Sequence, residues 1–168
     1  VIVDENADLS DVAKKVMRGK TMNAGQICLA PDYLMLPKGK SEEFAKASNE
    51  AISEMFADLK YNEDYTSVIN ERHYERINEL VSDAKEKGAE VIQINPADED
   101  FEQQELHKIP PTLVLNPTDE MKIMQEEIFG PVLPVKEYED FDETVNYVNS
   151  KDRPLGLYLF SKDKNKEK

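Results

Sequence analysis

Cys28 is the one cysteine of the chain, and it stands in the run Asn23-Ala24-Gly25-Gln26-Ile27-Cys28-Leu29-Ala30-Pro31-Asp32-Tyr33. A thiolate attacks carbonyl carbon well, and the thioester it can form stays reactive enough to hydrolyse. A lone cysteine is most often a small buried hydrophobe. Here, however, Gly25 would let backbone approach a substrate closely, and a loop just past a helix is where functional groups concentrate. The only histidines, His73 and His107, are both remote from Cys28 in the chain. A cysteine hydrolase or acyltransferase with a histidine base therefore stays open without local support. Nor do two histidines, lacking a cysteine pair or a carboxylate cluster at ligand spacing, make a metal site.

The second motif is Met124-Gln125-Glu126-Glu127-Ile128-Phe129-Gly130-Pro131-Val132. Two adjacent acids in an acid-rich chain read first as solvated surface. The Gly-Pro step that follows makes a rigid turn where a strand begins, and a carboxylate can accept from two vicinal hydroxyls. Gly19 and Gly39 fit no phosphate-cradling pattern. The chain carries neither a Gly-rich dinucleotide fingerprint nor a Walker motif.

These segments must be held by ordinary elements. Val1-Ile2-Val3 reads as a short strand, and Leu9, Val12, Ala13, Val16 and Met17 recur at helical spacing, predicting a helix to about Gly25. Cys28 then falls just past its end. Tyr33 to Leu36 is a strand closed by Pro37-Lys38-Gly39. Ser41 is a good N-cap, with Glu42 and Glu43 in the first turn. Phe44, Ala51, Ile52, Met55, Phe56 and Leu59 form that helix's inner stripe. A further helix spans about Asn70 to Lys87, with Tyr74, Ile77, Leu80, Val81 and Ala84 inward and Gly88 as its stop.

Val91 to Ile94 is a strand, and the polar stretch 95–108 reads as a mobile loop. Leu113-Val114-Leu115 and Val132 to Val135 are strands. Phe141 to Val148 is a short helix, apolar at 141, 145 and 148, and Leu157 to Phe160 a last strand. The lysine-rich end, 162–168, reads as the start of another helix. Alternating strands and helices imply an α/β fold, an open, mostly parallel sheet flanked by helices.

The chain has 168 residues, enough for one domain or a large part of one, with 39% hydrophobic and 33% charged residues. Its 21 Lys and Arg against 35 Asp and Glu leave a net charge of −14. Clustered cations for a phosphate backbone are lacking, so nucleic acid is not the expected partner, and an anionic membrane repels the chain likewise. One cysteine forms no internal disulfide, which fits a cytoplasmic setting. No apolar run reaches the ~20 residues of a membrane span.

Taken together, the two motifs resemble those of the aldehyde dehydrogenase superfamily. Gly25-Gln26-Ile27-Cys28-Leu29-Ala30 is similar to its nucleophile signature, although Thr21 stands where the family usually has an apolar or aromatic residue. Ala30-Pro31-Asp32-Tyr33 resembles the coniferyl-aldehyde and class-three branch. The Met124 to Pro131 run is the longer and more specific match, and Asn70 to His73 and Arg153 to Phe160 also look like family segments. The resemblance covers essentially the whole chain.

What the resemblance implies is concrete. Cys28 is the nucleophile that gives a thiohemiacetal and then a thioester. Glu127 is the ligand of the cofactor ribose and Phe129 the wall beside the nicotinamide of NAD or NADP. The substrate is an aromatic or medium- to long-chain aldehyde such as coniferaldehyde, and the enzyme a homodimer. Residues 1–168 are then a catalytic-domain fragment. The dinucleotide-binding domain, general-base glutamate and oxyanion-hole asparagine are expected before Val1, and part of the bridging strand after Lys168. Alone, the fragment is expected to be inactive.

Overall fold

The computed structural model describes residues 1–102 and 104–166. Its centre is a six-stranded sheet ordered β3-β4-β5-β2-β1-β6. The strands are β1 (Ile2–Val3), β2 (Leu34–Pro37), β3 (Glu90–Gln93), β4 (Thr112–Leu115), β5 (Val132–Tyr138) and β6 (Leu159–Phe160). All neighbours pair in parallel except β3, which runs antiparallel along β4. The mostly parallel α/β sheet expected from the sequence is thus the one observed.

Both faces of the sheet are covered, which is what a parallel sheet demands of its strands. Along β4 and β5 the side chains alternate between two cores. Leu113, Leu115, Leu133 and Val135 join a cluster with Val12, Val16, Met17, Phe44 and Ile52. Those partners belong to α1 (Leu9–Thr21) and α2 (Ser41–Met55). Val114 and Val132 face the other way, onto Ile77, Leu80 and Ala84 of α3 (Glu71–Glu86). The two-residue period of a strand divides one sheet between two helical layers.

Several boundaries differ from the sequence expectation. The first helix stops at Thr21, not near Gly25. The Thr21 hydroxyl donates back to the Met17 carbonyl at 2.8 Å. Asn23 and Ala24 then adopt φ of 50° and 52°, followed by Gly25 at 71°, and three left-handed residues cannot continue a right-handed helix. Ser41 is not the cap of α2 but its first residue, after Lys40. The carboxylate of Glu137, on β5, accepts from the Ser41 N–H instead. Leu59 is buried, but beyond the end of α2.

The last helix, α4 (Phe141–Asn149), does not bury the expected stripe. Thr144 is its buried residue and Val145 is exposed. The helix docks through aromatic edges instead: Phe141 meets Tyr138, and Tyr147 meets Tyr33. β6 is shorter than expected, because Leu157 and Tyr158 belong to the loop that leads into it. The described residues of 95–108 form no helix or strand, yet Glu99 is anchored, accepting from the backbone N–H of Leu59 and Lys60. At the lysine-rich end residues 164–166 form a turn, and 167–168 of the expected helix lie outside the described residues.

Candidate active site

The segments leading into β1, β2, β5 and β6 all lie at the amino edge of the parallel strands. There they enclose a cleft of about 650 Å³. Open α/β sheets more commonly bind ligands beyond the carboxyl ends of their strands. Cys28 and Glu127 both line this cleft, with Asp32, Tyr147, Arg153 and Tyr158. Two of the three site residues expected from the sequence are therefore brought together. Phe129 is exposed, with φ of 49°, and lies outside the cleft's lining.

Cys28 is exposed at the corner of a turn. The turn is closed by the Ala30 N–H, which donates to the Ile27 carbonyl at 2.9 Å. Ahead of it, the Gln26 amide donates to the Ser67 carbonyl at 3.0 Å and accepts from the Ile69 N–H at 2.9 Å. Gly25, which the sequence suggested for close approach to a substrate, is closely approached within the fold itself. A Cβ there would stand 2.3 Å from the Gly130 carbonyl oxygen. The cysteine turn and the Gly-Pro step thus touch backbone to backbone.

The Glu127 segment is pinned from two further sides. Asp32, four residues after the cysteine, accepts from the Ile128 N–H at 3.0 Å. Arg76, from α3, donates to the Glu127 carbonyl at 3.4 Å and to the Ile128 carbonyl. The guanidinium also stands 3.8 Å from the Glu126 carboxylate. Of the acid pair, then, Glu126 faces a cation, while Glu127 keeps an exposed carboxylate on a backbone fixed by its neighbours.

Two groups of residues here were missed by the sequence reading. Lys20 is buried, and burial pulls its ammonium down to about 8 against the opposing attraction of Asp32 and Glu127. The signal was present: Lys20 lies three and four residues after Met17 and Val16, on the apolar stripe. The other group surrounds Tyr147, whose hydroxyl donates to Asp119 at 2.7 Å. Lys136 and Lys151 sit 4.9 and 5.0 Å from its ring centre and also bond Asp119. Burial raises the Asp119 carboxyl, yet these three hydrogen bonds outweigh it and hold the group below the ordinary range. No periodicity announces that cluster, because its members come from a loop, a strand and a helix.

His73 contributes its backbone N–H to the cap of α3, donating to Asn70. His107 pairs with Glu71. Among the described residues, no group of three or more His, Cys, Asp or Glu is placed to hold a metal ion. No helix among them is long and apolar enough to cross a membrane.

The model of the aldehyde dehydrogenase family matches residues 1–168. A probable coniferyl aldehyde dehydrogenase of Caulobacter vibrioides is 58% identical over 163 residues, covering 97% of this chain and 34% of the relative. A coniferyl aldehyde dehydrogenase of a Pseudomonas species is 49% identical, with 97% and 34% covered. Among solved structures, the substrate-bound state of Staphylococcus aureus AldH superposes with a TM-score of 0.84 at 32% identity. That match covers 98% of this chain and 34% of the other. An NADP-dependent glyceraldehyde-3-phosphate dehydrogenase of Bacillus halodurans, complexed with NADP, gives 0.83 at 28% identity, with 98% and 33% covered. The chain spans about a third of the length of the curated relatives it matches.

Proposed function

Since the chain belongs to the aldehyde dehydrogenase family, we propose that it is the thiol-bearing part of a longer NAD(P)-dependent enzyme that oxidises a coniferaldehyde-like aromatic, or a medium- to long-chain, aldehyde to its acid. The observation that carries this reading is the shared cleft of Cys28 and Glu127, whose backbones are locked through Gly25 and Gly130. The substrate class follows the names of the two relatives at 58% and 49% identity.

The residues present fit a nicotinamide cofactor. Glu127 offers an exposed carboxylate in the cleft's lining for vicinal ribose hydroxyls, while Phe129, two residues on and outside that lining, is assigned to the flat base by the family resemblance alone. When bound, such a cofactor supplies the hydride acceptor. The work of this chain is to present the Cys28 thiolate to the aldehyde carbon as a thiohemiacetal. Oxidation leaves a thioester on Cys28, and water releases the acid and regenerates the thiol. A homodimer and a cytoplasmic location belong to the same proposal, the latter supported by a chain with a single, unpaired cysteine.

The test is a single-turnover measurement of NADH on the full-length enzyme, with NAD⁺ and coniferaldehyde, beside its Cys28→Ala variant. The expected result is a burst that the variant lacks. No burst with any of several aldehydes, while Cys28 still acylates from an activated ester, would replace the reading with a nicotinamide-independent acyltransferase or hydrolase.

A further inference from the structure

Tyr158 lies in the loop entering β6, far from Cys28 in sequence, yet its hydroxyl donates to the Leu29 carbonyl at 2.9 Å. Its own carbonyl accepts from the Ile2 N–H of β1 at 2.8 Å, so the tyrosine is rooted in the sheet. Two residues earlier, the backbone passes so near the cysteine turn that a Cβ at Gly156 would stand 3.2 Å from the Leu29 side chain. Both Tyr158 and Cys28 line the cleft.

The turn bearing Cys28 closes on itself with a single hydrogen bond between Ala30 and Ile27. That bond fixes the shape of the turn but not its tilt against the sheet. Tilt is set where the turn's flanks are tied down. On the amino side the tie is Gln26, bound to the Ser67 carbonyl and the Ile69 N–H. On the carboxyl side the ties are Asp32, which accepts from the Ile128 N–H, and, next to the cysteine itself, the Tyr158 hydroxyl on the Leu29 carbonyl. A thiol displaced by about 1 Å can cost a hundredfold in rate, because attack needs a near-contact geometry.

We propose that Tyr158 is a positioning residue for the nucleophile, holding the Cys28 turn through its hydroxyl. This rests on the reading of Cys28 given above. It assigns Tyr158 no contact with the reacting atoms. Its effect therefore belongs to the rate of the chemical step rather than to aldehyde affinity.

Tyr158→Phe removes the hydroxyl and keeps the ring, so packing is retained. In the full-length enzyme, kcat is expected to fall about threefold to tenfold, the factor that one neutral hydrogen bond is worth in a rate. KM for the aldehyde should stay within about twofold, since only the chemical step is affected. A second readout needs no turnover. In the full-length enzyme, with every cysteine outside residues 1–168 replaced, Cys28 is the only thiol, so a trifluoroacetonyl label attaches there alone. Its fluorine resonance should be one narrow line in the parent and broadened or split in Tyr158→Phe. Where Cys28→Ala abolishes the burst, both changes are required, and either one without the other overturns the assignment. Should Cys28→Ala keep its burst, the dehydrogenase reading falls separately. The fluorine line then decides alone, an unchanged line overturning the role of Tyr158.

Discussion

At the scale of single residues, charged groups near the site bear on the stability of the fold. Lys20 is the clearest. Its ammonium is buried and its pKa lies at about 8, against 10.5 for an exposed lysine. Between those values the unfolded chain binds a proton that the folded chain has released. Stability contributed by this group therefore rises as pH increases from 8 toward 10.5. Below pH 8 the buried charge costs about 3 kcal/mol, the free-energy equivalent of the shift. Lys20→Met should accordingly be more stable than the parent at pH 7 in urea unfolding, with the advantage shrinking by pH 10. An advantage that is the same at both pH values would refute this account. At this scale the sequence was half legible. Cys28 and Glu127 could be picked out because their neighbours carried family signatures. Arg76, Asp32 and Tyr158 could not, since each acts on backbone contributed by a distant segment, and no local spacing records such a contact.

Among elements, the decisive junction is the one between the end of α1 and the approach to β5. Gly25 has φ of 71°, and an added Cβ would meet the Gly130 carbonyl at 2.3 Å. Gly25→Ala thus combines left-handed strain with a clash against backbone. It should lower stability by about 2–4 kcal/mol, measured by urea unfolding. Gly130→Ala meets the Cδ1 of Ile77 at 2.5 Å, the terminal methyl of a buried side chain rather than backbone, and without a left-handed φ. It is expected to cost clearly less, and the reverse order would show that the backbone contact is not the constraint. The long helices were legible from their stripes and caps, α3 down to Asn70 and Gly88. The end of α1 was not, because Ala24, a good helix former, gives no local sign of the left-handed turn it adopts beside Asn23. Strand order was equally hidden: nothing in β2 announces that it pairs with β5, across most of the chain.

For the whole molecule, the cleft is bordered by apolar side chains that have no cover. Leu155, Leu157 and Leu29 are 73%, 55% and 48% exposed. Contiguous bare apolar surface of this kind favours association. The 168-residue chain alone should therefore self-associate in light scattering as its concentration rises, and Leu155→Lys with Leu157→Lys should reduce this. A monomer at all concentrations would contradict it. The chain alone should also show no steady-state turnover. If the general base lies in a part of the enzyme beyond this chain, its loss alone typically lowers rates by about 10²–10⁴.

The contact between Gly25 and Gly130 has a consequence for recombination. Where two loops meet through side chains, one can be exchanged and the other repacked around it. Backbone against backbone leaves nothing to repack. In shuffling between homologues, a crossover separating residue 25 from residue 130 asks two independently inherited main chains to coincide to within a few tenths of an ångström. The nucleophile loop and the Glu127 loop are in that sense one heritable unit, written in two places.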